Sequence, residues 1–169
     1  MYRFLLRWVL LGSAFLVACA GPGITPLQLG ANEAEVRQLW GEPTGRYALP
    51  DGSRLEYATG PYGVTTWMVD LDATGHVTGW RQVLSESNLQ AVQGQLPGMD
   101  TETLLRTLGR PGERRHGGRQ GGQWWFWRFH NSFCLWFLVD IGNDGIVRES
   151  VFDIDPRCNG GEYDRRMFF

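Results

Sequence analysis

The sequence predicts an α+β fold: two tandem units, each a short helix followed by an antiparallel meander, together a layered α/β-sheet body. Three observations carry this. A helix-stop signal, Gly41 then Pro43, recurs as Gly109 then Pro111 at an offset of 68 residues. Each stop follows a stretch with a capping residue and apolar positions at helical spacing. Each is followed by apolar runs separated by tight-turn residues, the pattern of consecutive strands.

In the first unit Asn32 opens the helix as its cap, and Glu35 stands where a capping box places its acid. Val36, Leu39 and Trp40 share one face, and Gly41 closes the helix by tolerating positive φ. Strands follow at 46–49 and 54–58, flanking the turn Pro50-Asp51-Gly52. Two more, at 64–71 and 77–83, flank Asp72-Ala73-Thr74-Gly75. A second helix is expected from Ser85 to Val92, capped by Ser85 or Ser87. It leads into the second unit, where Asp100 caps a helix carrying Leu104, Leu105 and Leu108. The Gly-rich run 117–122 takes the place of the first hairpin turn and reads as flexible. Aromatic strands are expected at 123–130 and 133–141, and a last strand at 146–154 after Asn143-Asp144-Gly145. On this alignment Trp67 matches Trp136 and Gly75 matches Gly145.

The chain has 169 residues, 43% of them hydrophobic and 20% charged, as in an ordinary folded body. All 16 basic residues are Arg, and the net charge of −2 gives no reason to propose nucleic-acid binding. Residues 1–18 read as a lipoprotein signal peptide. Arg3 and Arg7 precede a short apolar run, and Leu16-Val17-Ala18-Cys19 has the order of a lipobox cut before Cys19. An ordinary secretory signal that happens to contain a Cys is the alternative. Acylation of Cys19 would hold the protein on a membrane, since each buried methylene contributes about 0.8 kcal/mol. Residues 19–28 read as a tether, 29–84 as the first unit, 85–158 as the second and 159–169 as a loose tail.

Two cysteines remain, Cys134 and Cys158. In an oxidising compartment an even pair invites one disulfide, with two buried free thiols as the alternative. No catalytic or metal-binding constellation is expected. His76, His116 and His130 lack metal-ligand spacing, and His130 and Cys134 lie too far apart along a strand to act together. Asp70, Asp72, Asp140 and Asp144 read as turn-flanking residues and lack the rest of a calcium loop.

The unusual feature is aromatic. Trp124-Trp125-Phe126-Trp127 and Trp136-Phe137 put large rings on both faces of adjacent strands. Phe126 and Trp124 share one face; Trp125, Trp127 and Phe129 share the other. Either helices cover one face while the neighbouring unit or loops cover the other, or part of the set is an exposed patch for a protein or peptide. Carbohydrate stacking is a third reading. Indole tolerates partial exposure, so Trp125 and Trp127 are expected away from the helices. With Trp136 and Trp67 they form the candidate partner-binding set.

The entries Leu29-Gly30 and Pro97-Gly98-Met99, each followed by a capped helix, Gly-x-Pro and antiparallel strands, resemble the SmpA/OmlA (BamE-like) lipoproteins. That family's typical member carries one such unit, whereas this chain carries two, an arrangement similar to the β-lactamase inhibitor protein fold. The resemblance implies a non-catalytic, cofactor-free binding or scaffold protein, lipid-anchored on the periplasmic face of a Gram-negative outer membrane. Its partner would be a cell-envelope protein of the barrel-assembly kind. Ala20, where Asp would signal retention at the inner membrane, implies export to the outer one. The alternative function is a tethered protein inhibitor or peptide-binding module using a curved aromatic sheet face.

Overall fold

A computed structural model describes residues 27–60, 63–117 and 121–159. The expected signal peptide with Cys19, most of the tether, the centre of the Gly-rich run and nearly all of the tail lie outside the described residues. The tether as expected, 19–28, runs into the folded body at its end. Leu27 is buried in the first core, so the fold begins before Leu29.

Helix α1 (Glu33–Trp40) is closed at its N-terminus by a capping box: Asn32 Oδ1 accepts from the Glu35 amide at 3.0 Å, and Glu35 Oε2 accepts from the Asn32 amide at 2.8 Å. Helix α2 (Glu86–Gln93) is capped by Ser85, and α3 (Thr101–Leu108) by Asp100. Gly41 and Gly109 end α1 and α3 with φ, ψ of 82°, −164° and 78°, −172°. That is not the left-handed helical region but one that is essentially reserved for glycine. Both glycines are therefore more tightly specified than a left-handed cap requires.

Strands β1 (Gly45–Leu49), β2 (Gly52–Thr59), β3 (Thr65–Asp72) and β4 (Val77–Gln82) form one antiparallel sheet in sequential order. Strands β5 (Glu113–His116), β6 (Gln123–Arg128), β7 (Leu135–Ile141) and β8 (Val147–Ile154) form the second in the same way. The β5 segment, ERRH, shows no apolar alternation and is an edge strand missed from the sequence.

The repeat is visible in the registers. The bulge at Asp70/Leu71 recurs at Asp140/Ile141, and the bridge Asn32–His76 recurs as Asp100–Ile146. Arg46 opposes Leu55 as Arg114 opposes Trp125. The two extra residues of the second unit thus fall in its first hairpin. Beyond that hairpin Trp67 corresponds to Phe137 rather than Trp136. The expected match is off by one, which on a strand is the opposite face.

Each sheet has a face toward its own helix and a far face. Val36 of α1 packs with Leu55, Tyr57, Val69, Leu71 and Val77 on the helix face of the first sheet. On its far face, Met68 and Tyr47 join the larger core that holds Leu89 of α2, Leu104 and Leu108 of α3, and the second sheet. The layers therefore run α1, first sheet, α2 with α3, second sheet. Polar bonds pin the middle contact. Arg54 donates to the Arg106 carbonyl at 2.8 Å while also pairing with Asp70. Glu56, fully buried, accepts from the Arg110 amide at 3.3 Å and from the Tyr47 hydroxyl. Burial, then the Glu56 hydrogen bond, pushes the Tyr47 hydroxyl well above the ordinary tyrosine range.

Candidate functional site

The aromatic set divides between faces as alternation requires, but with the faces exchanged. Trp125, Trp127 and Phe129 lie under α2 and α3 in the main core, with Phe137, Val139 and Ile141. Trp127 is 1% exposed. The argument from indole exposure fails because both N–H groups find acceptors within the chain: Trp127 Nε1 donates to the Gly109 carbonyl at 3.1 Å in the core, and Trp125 Nε1 to Oε1 of the exposed Gln123 at 2.8 Å. Trp125 and Trp127 are therefore core residues and do not form an exposed partner patch. Trp67 is half-buried on the α1 side, where Trp40 stands edge-on at 5.8 Å.

Trp136 does lie on the far face of the second sheet, yet it too is buried. It packs on Phe126 at 4.3 Å, with Leu138 beside them. Guanidinium groups cover these rings. Arg115 lies 5.0 Å from the Phe126 ring centre and 5.4 Å from that of Trp136, and Arg128 lies 5.0 Å from Trp136. Arg128 is buried and paired with Asp155 at 2.5 Å. Arg115 pairs with Glu113 at 2.6 Å. This layer is a sealed lid over the rings.

Asp72 and Asp144 are turn residues: each Oδ1 accepts amide bonds from its own hairpin. Asp70 and Asp140 instead pair across strands, with Arg54 and Arg148. Burial pushes the Asp140 carboxyl up from its ordinary value, and the Arg148 charge opposes that shift. Among the described residues no three His, Cys, Asp or Glu side chains gather as a metal ion would require.

Cys134 and Cys158 are joined as a disulfide, with Cα atoms 6.4 Å apart. Cys134 is thereby no candidate nucleophile. The bridge ties the short 3-10 turn after β8 (Pro156–Asn159) to the loop carrying Phe133, which is 73% exposed, and the Asp155 amide donates to the Cys134 carbonyl at 2.8 Å. Thiol counting on the denatured, unreduced protein should find neither Cys134 nor Cys158 reactive. Replacing both by Ser should lower stability by about 3–4 kcal/mol, as expected for a bridge closing a loop of this size.

Surface concavities are present among the described residues. One, of about 590 Å³, is lined by Gln28, Leu29, Glu35, Gln38 and Leu39 beside α1. Another, of about 420 Å³, lies at one end of the second sheet and is lined by Thr101, Arg114, His116, Gln123, Trp125 and Asn143, with nearby glycines. Sequence reasoning passed over the second cavity because its residues come from α3, β5, β6 and a turn, and β5 was not recognised as a strand. No protein-family model, curated protein or solved structure matches the chain.

Proposed function

We propose that the chain is a lipid-anchored, non-catalytic binding or scaffold protein on the periplasmic face of a Gram-negative outer membrane. In kind it would be similar to the SmpA/OmlA accessory lipoprotein of barrel assembly. The observation that carries this reading is the doubled unit of capped helix, glycine stop and antiparallel meander standing directly behind Leu16-Val17-Ala18-Cys19. Between Cys19 and Leu27, the first buried residue among those described, the chain can reach at most about 29 Å when extended. A body so tethered works close to the bilayer and meets partners embedded in it.

Cys19→Ser should abolish palmitate labelling and release the protein from the membrane fraction; undiminished labelling would sink the anchor. Co-purification of the tagged wild-type protein from solubilised membranes tests the role. Recovery of barrel-assembly components is the expected result, and recovery of none of them counts against the scaffold reading.

A second reading, a tethered inhibitor or peptide-binding module, rests on a different observation. Phe133 and Ile154 are exposed at the same end of the second sheet, on a segment fastened by the disulfide. Recovery of a single soluble enzyme in the same experiment would favour it.

A further inference from the structure

The two units keep one matched arginine but differ in the residues around it. In the first unit Arg46 of β1 pairs with Glu33, the first residue of α1. Arg37 binds the same carboxylate at 2.8 Å, and Arg46 also donates to Ser53 at 2.8 Å. The hydrogen bond from Arg46 is the largest reason that the Glu33 carboxyl is held below its usual range.

In the second unit the matched residues are Arg114 for Arg46 and Gln123 for Ser53. Thr101, the first residue of α3, stands for Glu33, and Leu105 for Arg37. The arginine is kept and its carboxylate is replaced by a hydroxyl. The cavity of about 420 Å³ is lined by Thr101, Arg114 and Gln123 of this set. Among the described residues no carboxylate pairs with Arg114, whose guanidinium instead lies 4.0 Å from the Trp125 ring centre. Stacking of this kind holds the guanidinium plane while leaving its N–H edges available for a planar acceptor. The acids near the cavity are committed elsewhere. Asp100 accepts from the Thr103 amide and hydroxyl at 2.7 and 3.1 Å, Glu102 pairs with Arg106 at 3.5 Å, and Asp144 accepts from the Ile146 amide at 3.0 Å. His116 and Gln123 add polar groups on the same face of the sheet as Arg114.

We infer that this cavity recognises a carboxylate supplied from outside the chain, which pairs with Arg114 as Glu33 pairs with Arg46. The carboxylate belongs to an acidic side chain of a polypeptide or to a free organic acid. The site depends neither on the lipid anchor nor on the scaffold role, so it is tested separately.

The full-length protein is titrated with a blocked tripeptide carrying one glutamate side chain, with its glutamine analogue and with sodium acetate, following the Trp125 indole N–H resonance. The glutamate peptide should shift it, with the glutamine analogue about tenfold weaker. Arg114→Gln should cost about tenfold in affinity for the glutamate peptide. Thr101→Glu should cost as much, because it returns the internal partner, and should raise the melting temperature. Equal affinity for acetate and the peptide identifies a free acid as the source; clearly tighter peptide binding identifies a polypeptide. The inference is overturned if neither carboxylate moves the resonance at tens of millimolar, or if the glutamine analogue binds as well as the glutamate peptide. It is equally overturned if Arg114→Gln leaves the affinity unchanged.

Discussion

Gly109→Val should remove a large part of the protein's stability, about 3–5 kcal/mol, while Gly41→Val should cost about 1–3 kcal/mol. Both glycines hold a backbone conformation essentially closed to other residues, which sets the smaller loss. They differ in what a side chain would meet. A Cβ at Gly41 has nothing within 4 Å. At Gly109 it would stand 2.9 Å from a Thr66 methyl and 3.2 Å from both the Glu56 carboxyl and the Met68 methyl, all on the far face of the first sheet. Those neighbours sit between two packed layers and have little room to give. A domain of this size is stable by roughly 5–15 kcal/mol, so the difference is measurable by urea denaturation of the two variants. Equal losses would mean that the layers are not in tight contact at Gly109.

Trp127→Ala should destabilise by about 3–5 kcal/mol, the range for removing a large ring from a core. Trp127 packs with α3 and the second sheet, and its indole satisfies the Gly109 carbonyl. Truncation leaves a cavity and takes the donor from that carbonyl. Phe126→Ala should cost a similar amount from the other face, since Phe126 is 0% exposed. Phe133→Ala, at an exposed ring, should stay within about 0.5 kcal/mol of wild type. Thermal melts of the three variants decide this. Near-wild-type stability of Trp127→Ala would return its ring to the surface.

The helices and turns were legible because their signals are local. Asn32, Asp100, Gly41 and Gly109 each act on a few neighbouring backbone groups, so the sequence around them is sufficient. The doubled plan followed from the recurrence of those signals. The aromatic faces were not legible, because alternation says which rings share a side and not which side the helices cover. That depends on α3 serving two sheets at once, a long-range fact with no local trace. The lid of Arg115 and Arg128 was missed for a related reason: an arginine beside a tryptophan in the sequence points to the opposite face, and the stacking partners come from the neighbouring strands. The Arg114 cavity became visible only when the hairpin registers aligned Thr101 with Glu33.

The lid has a further consequence, for stacking. The far face of the first sheet is a socket, filled by the helix of the unit that follows. The same face of the second sheet would be a socket for a third unit, on this chain or another. Stacking of that kind is head-to-tail and need not close, so it grows into an open filament unless one end is blocked. Arrays of repeated units meet this hazard with a polar terminal unit. Here a docking helix would have to displace guanidinium groups already paired with Glu113 and Asp155, and would strand those charges away from water. The second unit thus carries a charged cover on the face with which the first unit docks its neighbour.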